Sequence, residues 1–204
     1  MGAPTWIDHY ALFDDVVAVA RKAHAATAGW RAICARATRA VGKNVVLPLN
    51  ELDLDEELPA LRERVRKIVR AAPTDIDTLV FGFFDGVDDD GAGVYTGFHV
   101  GGMAGFDPEQ RWLLKAPSWL PDDRFLHSAA LDALARAAVV ARGEGKKAVA
   151  HGLRFGAAAL LARFAALDLP YRVVVTFDEG AFAEIAPGPT KGDEPSPKAL
   201  SSGR

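Results

Sequence analysis

Apolar residues recur every three or four positions in five segments of the chain, and this period predicts five helices. The first is expected at 8–28, where Asp8 begins the helix and Gly29 ends it; a second follows and ends at Gly42. The remaining three are expected at about 55–71, 128–142 and 147–167.

Individual residues add detail to three of these helices. Ser128 is a suitable N-cap for the fourth helix, because its hydroxyl can accept a backbone hydrogen bond. Gly152 and Gly156 lie four residues apart in the fifth helix and predict the close approach of another element. The third helix has acidic residues first and basic residues last, which complements the helix dipole. Its basic face is interpreted as solvated rather than as a nucleic-acid site.

Shorter apolar runs predict strands. Thr78–Phe84 is apolar on both faces, as expected for an inner strand that is covered on both sides. Gly93–Val100 alternates in polarity and should pair with it antiparallel, because the connection is too short for a crossover helix. Arg172–Phe177 and Phe182–Ile185 predict a hairpin, and Arg111–Lys115 predicts a short third strand within an irregular region.

This order of elements predicts an α+β fold, with several helices packed on a small antiparallel or mixed β-sheet. Residues 1–186 are expected to form a single domain, of which 1–72 is the helical part. Residues 187–204 are rich in Pro, Gly, Ser and charge and lack apolar periodicity, so they predict a disordered tail.

Composition narrows the functional classes. The 204 residues carry 24 Lys and Arg against 27 Asp and Glu, so the chain lacks the basic field that non-specific nucleic-acid binding needs. The one cysteine, Cys34, excludes an intramolecular disulfide and a cysteine-based zinc cluster, and its place on an apolar helix stripe predicts burial. We expect a cytoplasmic protein without membrane contacts, because neither a signal-peptide pattern nor a spanning apolar run is present.

The densest cluster of carboxylates is expected in a Gly-rich loop between two strands. Oxygen ligands of this kind suit calcium or magnesium. The spacing fails the EF-hand pattern, however, because the position of the final glutamate holds His99. A solvated turn is the favoured interpretation, and a negative protrusion that meets a basic partner is the intermediate one. The cluster consists of Asp85, Asp88, Asp89 and Asp90.

Two side chains on the second strand are expected to share one face. Tyr95 and His99 project the same way, and Gly97 between them leaves room for another group. A general base needs a histidine within hydrogen-bond reach of its target, whereas a histidine bonded to backbone is the commoner arrangement. His99 with Asp85 or a neighbouring residue defines the alternative function, a small metal-dependent or His/Asp-based hydrolase.

A long loop after the second strand is crowded with aromatic residues. It contains Trp112, Trp119, Arg124 and Phe125. Tryptophan and arginine are typical anchors of protein interfaces. The same residues also form satellite cores beneath loops, which is the interpretation that we favour for this loop.

Specific enzyme motifs are missing from the sequence. It contains no G-x-S-x-G, no H-E-x-x-H, no phosphate-binding loop and no dinucleotide fingerprint. We therefore expect no catalytic residue, no cofactor and no metal, and favour a protein that is not an enzyme.

Part of the chain resembles a known class of bacterial proteins. The segment GFDPEQRWLLKAPSWLPDDRF, the amphipathic helix after it and the later VVVTFDEGAFAEI are similar to small proteins of the polymorphic-toxin immunity type. The resemblance covers residues 76–186. It implies a non-enzymatic α+β domain that binds and blocks a cognate toxin, often through an acidic surface, and it transfers no individual functional residue.

The expected function is therefore binding of a protein partner, specifically as an immunity protein that neutralises a toxin with a basic surface. A structural subunit of a larger assembly is a further alternative, and the oligomeric state stays open. The candidate binding residues are Asp85, Asp88, Asp89, Asp90, Tyr95, His99, Trp112, Trp119 and Arg124.

Overall fold

A computed structural model describes most of the chain, and the described residues are 9–41, 49–87, 94–107, 117–140, 144–177 and 182–188. Several predictions fall elsewhere. The short strand at 111–115, three acidic residues of the expected loop, Trp112 and nearly all of the expected tail lie outside the described residues. The three acidic residues are Asp88, Asp89 and Asp90.

The described residues contain five helices and five strands, which confirms the predicted α+β fold. The helices are α1 (His9–Lys22), α2 (Ala26–Val41), α3 (Leu58–Val69), α4 (Ala129–Val140) and α5 (Glu144–Ala165). The strands are β1 (Thr78–Val87), β2 (Val94–Met103), β3 (Phe125–Leu126), β4 (Arg172–Phe177) and β5 (Phe182–Ala186). None of these helices has the length and apolar character needed to cross a lipid bilayer.

The strands form one mixed sheet in the order β3-β2-β1-β4-β5. β1 is an inner strand, antiparallel to β2 and parallel to β4, and its first six residues are buried, as its apolar sequence predicts. The hairpin of β4 and β5 is also confirmed. The predicted end of β1 at Phe84 is wrong, because the strand continues to Val87 and includes Asp85.

The two faces of the sheet differ in what covers them. Alternate side chains, such as Phe81 and Phe83, join the main core together with residues from all five helices, and we call this the helix face. The opposite side, the open face, carries Val80, Gly82, Phe84, Tyr95 and His99. Its small apolar cluster around Val80 includes no described helical side chain. The helices therefore form a single layer on one side of the sheet.

Helix α5 is the centre of the helical layer. Every residue from 152 to 162 is buried, because α5 packs against the four other helices and against the sheet. The predicted close approach at two glycines is confirmed. A Cβ atom on Gly156 would lie 2.8 Å from Val16 and 2.9 Å from Ile33, and one on Gly152 would lie 3.3 Å from Leu12. α1 and α2 thus lie close to the α5 backbone.

The prediction of one helix at 8–28 is wrong, because residues 23–25 are not helical and separate α1 from α2. Two remote side chains stabilise this break. Arg163 of α5 donates to the Ala23 carbonyl oxygen over 2.5 Å, and the Asp55 carboxylate accepts from the backbone N–H groups of Ala26 and Thr27 over 3.1 and 3.2 Å. Such bonds satisfy groups that a helix end leaves unpaired.

The sequence predicted that Gly29 ends a helix. This prediction is wrong, because Gly29 lies within α2. Its role is close packing: a Cβ atom there would lie 2.6 Å from Leu160 and 2.8 Å from Ala23. The glycine therefore lets the first turn of α2 approach α5 while the chain turns sharply out of α1.

A hydrogen bond joins the amino-terminal ends of α3 and α4. α3 begins at Leu58 and not near residue 55, and Glu57 lies at its N-cap position without capping it. Glu57 instead accepts a hydrogen bond from the Ala130 N–H in the first turn of α4 over 2.7 Å. Ser128 caps the same helix by accepting from the Leu131 N–H over 3.1 Å, as predicted.

We expect Gly156→Ala to destabilise the protein by about 1–2 kcal/mol, because the added methyl group would press on Val16 and Ile33. Gly152→Ala is the matched control, since its methyl group would meet only the flexible end of Leu12 and alanine favours the helix. The free energy of unfolding in urea tests both variants. Equal stability of the two would contradict the predicted packing of α1 and α2 on α5.

We expect the stabilising effect of Asp53 to depend on pH. Hydrogen bonds from the Thr27 hydroxyl and from the Asp55 N–H hold the pKa of Asp53 below its usual value of 3.8. A carboxylate with a lowered folded-state pKa adds stability above its unfolded pKa, and this contribution is lost as the pH falls through the folded-state pKa.

Asp53→Asn should therefore lower the midpoint of thermal unfolding at neutral pH, and the difference from the wild type should shrink below pH about 4. Asp75→Asn, at an exposed position, serves as the control. A difference that stays constant from neutral to acidic pH would contradict the assigned hydrogen bonds.

Candidate binding surface

The open face of the β1–β2 pair is built from aromatic rings that lie opposite glycines. In the register of the two strands, three neighbouring residue pairs each consist of one glycine and one residue with an aromatic ring. In each pair the ring occupies the space above the glycine, where a Cβ atom would clash with it. Glycine is thus required at these positions by the rings and not by a turn. The pairs are Gly82 with His99, Gly97 with Phe84, and Gly86 with Tyr95.

The distances show how the rings lie. Both Cε atoms of Tyr95 are 2.6 Å from the point that a Cβ atom on Gly86 would occupy, and Cζ is nearer still. A ring that pointed its tip at Gly86 would hold its Cε atoms farther away, so the Tyr95 ring lies flat across the strand. The Phe84 ring lies over Gly97 in the same manner. One face of each ring therefore covers backbone and the other faces outward.

The fourth ring belongs to Phe125 of β3, and it closes a cluster with two of the others. Its centroid is 6.4 Å from that of Phe84 and 6.2 Å from that of His99, and the Phe84 and His99 centroids are 6.1 Å apart. Tilted and edge-to-face contacts at this separation are favourable. The rings therefore support one another, which limits their rotation.

A cation lies on this surface. The Arg124 guanidinium is 4.7 Å from the Phe125 ring centroid and donates to the Pro121 carbonyl oxygen over 3.2 Å. Leu120, which is 45% exposed, packs over Gly101 beyond His99. We define the aromatic surface as Phe84, Tyr95, His99, Phe125, Arg124 and Leu120.

The aromatic surface is accessible. Tyr95 is 38% exposed and Phe125 is 50% exposed, and both are large side chains that soluble proteins tend to bury. The other half of the open face is covered, since Phe106 and Phe182 pack there on Val80 and Val174. Exposure is thus concentrated on β2, β3 and the carboxyl-terminal half of β1.

Asp85 lies on the opposite side of the sheet from these rings. Its carboxylate accepts a hydrogen bond from Arg154 of α5, whose guanidinium is nine-tenths buried or more and also bonds the Thr96 hydroxyl over 3.3 Å. A buried cation without a counter-charge is very costly. Asp85 is therefore the counter-ion of Arg154, and the prediction that it begins a surface loop is wrong.

Of the alternative function, His99 and Asp85 are not brought together, while the neighbouring carboxylates Asp88, Asp89 and Asp90 lie outside the described residues. His99 projects from the open face and Asp85 from the helix face, so the sheet separates them. The room that Gly97 was expected to leave beside His99 is filled by the ring of Phe84. Within the described residues there is also no group of three or more His, Cys, Asp or Glu side chains able to hold a metal ion.

The other candidate residues divide between two environments. Tyr95, His99 and Arg124 lie together on the aromatic surface. Trp119 packs against the main core, and its backbone forms a bridge with Gly102, so it follows the satellite-core interpretation. Phe84 was missed because an apolar residue in a buried strand predicts core, although the glycines on either side of it, Gly82 and Gly86, mark its face as different.

Two further features singled out in the sequence have structural roles. Cys34 is buried in α2, and burial raises the pKa of its thiol to about 12, so it is not a reactive thiolate. The basic residues of α3 are partly engaged with other elements. Arg62 donates to the Phe164 carbonyl oxygen over 2.9 Å, and Arg64 forms an ion pair with Asp123 at 3.2 Å.

Comparisons with known proteins supply no relative. No protein-family model, no curated protein and no solved structure matches the chain. The aromatic surface is therefore defined by its geometry alone.

We expect Asp85→Asn to destabilise the protein by about 3 kcal/mol, because it leaves the buried Arg154 without a counter-charge. The Asp85→Asn/Arg154→Met double variant removes both charges and should recover most of this loss. Unfolding in urea gives both values. A single variant within about 0.5 kcal/mol of the wild type would show that Asp85 does not act as the counter-ion.

Proposed function

We propose that the protein is a non-enzymatic binding module that holds a protein partner on its aromatic surface. One observation carries this proposal: the rings of Tyr95 and Phe84 lie flat over glycines, with the His99 ring over a third glycine beside them, and they form an outward-facing aromatic platform on a side of the sheet where no described helix packs. A residue pattern that served packing alone would place these rings beneath a covering element. Aromatic residues and arginine are the side chains most enriched at protein interfaces.

The rigidity of this surface supports the same proposal. Binding costs free energy when mobile side chains become fixed. Here the rings of Phe84, His99 and Phe125 already contact one another at centroid separations of 6.1 to 6.4 Å, and Tyr95 lies against Gly86. Little further ordering is needed on binding, so a modest area gives useful affinity.

The sequence adds the sign of the partner's charge. Residues 71–110, which include β1 and β2, carry eight acidic residues and no lysine or arginine. Asp85 is paired with Arg154, so the other seven carboxylates set the charge of this segment, and a basic surface complements them. The acidic residues are Asp75, Asp77, Asp85, Asp88, Asp89, Asp90, Asp107 and Glu109. Together with the resemblance to immunity-type proteins, this makes a toxin with a basic surface the specific partner that we propose.

The experiment titrates the purified protein with the products of adjacent genes by calorimetry. The test variant is Tyr95→Lys/Phe125→Lys, which replaces two exposed rings with positive charges that would repel a basic partner. We expect it to lose at least about 30-fold in affinity, which corresponds to interface anchors worth about 2 kcal/mol or more. Leu167→Lys is the matched control, because Leu167 is 40% exposed but lies beyond the end of α5.

The control should bind as the wild type does, and thermal unfolding verifies that all variants are folded. Failure of every adjacent-gene product to bind would overturn the proposed partner. Wild-type affinity in the double variant would overturn the aromatic surface as the site.

A further inference from the structure

We propose that the partner contacts the aromatic surface through arginine side chains, which stack on the outward faces of Tyr95 and Phe84. This inference rests on the proposed function and specifies the chemistry of the same site. It follows from the ring orientation, from a guanidinium already present on the surface and from the acidic charge of the sequence from 71 to 110.

The ring orientation determines what can bind. An aromatic ring is negative over its face and positive at its edge. Because Tyr95 and Phe84 lie flat on Gly86 and Gly97, each presents its face and not its edge to a partner. A cation above such a face is attracted, and arginine is the protein cation most often found there. Its planar, weakly hydrated guanidinium stacks on a ring, whereas the ammonium of lysine retains its water.

The surface already holds one such contact. Arg124 places its guanidinium 4.7 Å from the Phe125 centroid and is oriented there by the Pro121 carbonyl oxygen. Phe125 is therefore occupied from within the chain. Among the described residues, no cation–π contact involves the Tyr95 or Phe84 ring, which leaves these two faces for the partner.

Charge separates arginine from the other group that stacks on flat rings, a nucleic-acid base. Single-stranded nucleic acid needs cations along its backbone as well as rings beneath its bases. The sequence from 71 to 110 has no lysine or arginine, and its acidic charge would repel phosphates. The same carboxylates attract a partner that carries several arginines.

The test uses three probes on the full chain: a hexa-arginine peptide, a hexa-lysine peptide of equal charge, and a single-stranded oligothymidylate. We expect the arginine peptide to bind about fivefold more tightly than the lysine peptide, the advantage of a cation–π contact at an exposed site. NMR titration should place its effects on β1 and β2. Equal affinity of the two peptides, or tighter binding of the oligothymidylate, would overturn the inference.

Two substitutions at Tyr95 distinguish stacking on an aromatic ring from simple apolar contact. Tyr95→Leu keeps an apolar group over Gly86 but removes one of the two stacking rings, and it should reduce the preference for arginine, leaving the part that comes from Phe84. Tyr95→Phe keeps the ring and should retain that preference. An undiminished preference in Tyr95→Leu would contradict stacking on this residue.

The proposed function and this inference fail differently. If an adjacent-gene product binds and is lost in Tyr95→Lys/Phe125→Lys, while the peptides are not distinguished, the function stands and the arginine chemistry is wrong. If the arginine peptide is preferred but no adjacent-gene product binds, the chemistry stands and the proposed partner is wrong.

Discussion

The register between β1 and β2 is the constraint on which both faces of the sheet depend. On the open face, it pairs each glycine with a ring: Gly82 with His99, Gly97 with Phe84, and Gly86 with Tyr95. The same register sets Phe83 against Phe98 in the core and Asp85 against Thr96 beside Arg154. A shift by one residue would move each set to the wrong face. Packing beneath the helices thus fixes which rings face outward.

The helical layer protects that register from the other side. Arg154 projects from the buried α5 and joins the ends of β1 and β2 through Asp85 and Thr96. Asp132 of α4 accepts the Thr96 N–H over 3.0 Å, which satisfies one backbone donor of β2. An unpaired edge invites strand slippage or added strands. The polar contacts at this end of the sheet therefore hold the strands in place, and the rings are presented on a rigid support.

Local patterns predicted most elements, because helices and strands follow apolar periods of 3.6 and 2. What they missed depends on residues far apart in the chain. The break between α1 and α2 requires Asp55 and Arg163, and the strand position of Asp85 requires a buried Arg154 that is 69 residues away. Tyr95, His99 and Arg124 were chosen as candidates from strand alternation and side-chain chemistry, whereas Phe84 needed the strand register, which sequence alone does not supply.

The aromatic surface rests on flat contact between rings and glycines, and ring-current shifts measure that contact directly. Protons held above or below an aromatic ring resonate upfield of their ordinary positions. The account predicts strong upfield shifts for the Hα protons of Gly82, Gly86 and Gly97, with only the Gly86 shift lost in Tyr95→Leu. Ordinary Hα shifts at all three glycines would contradict the aromatic platform.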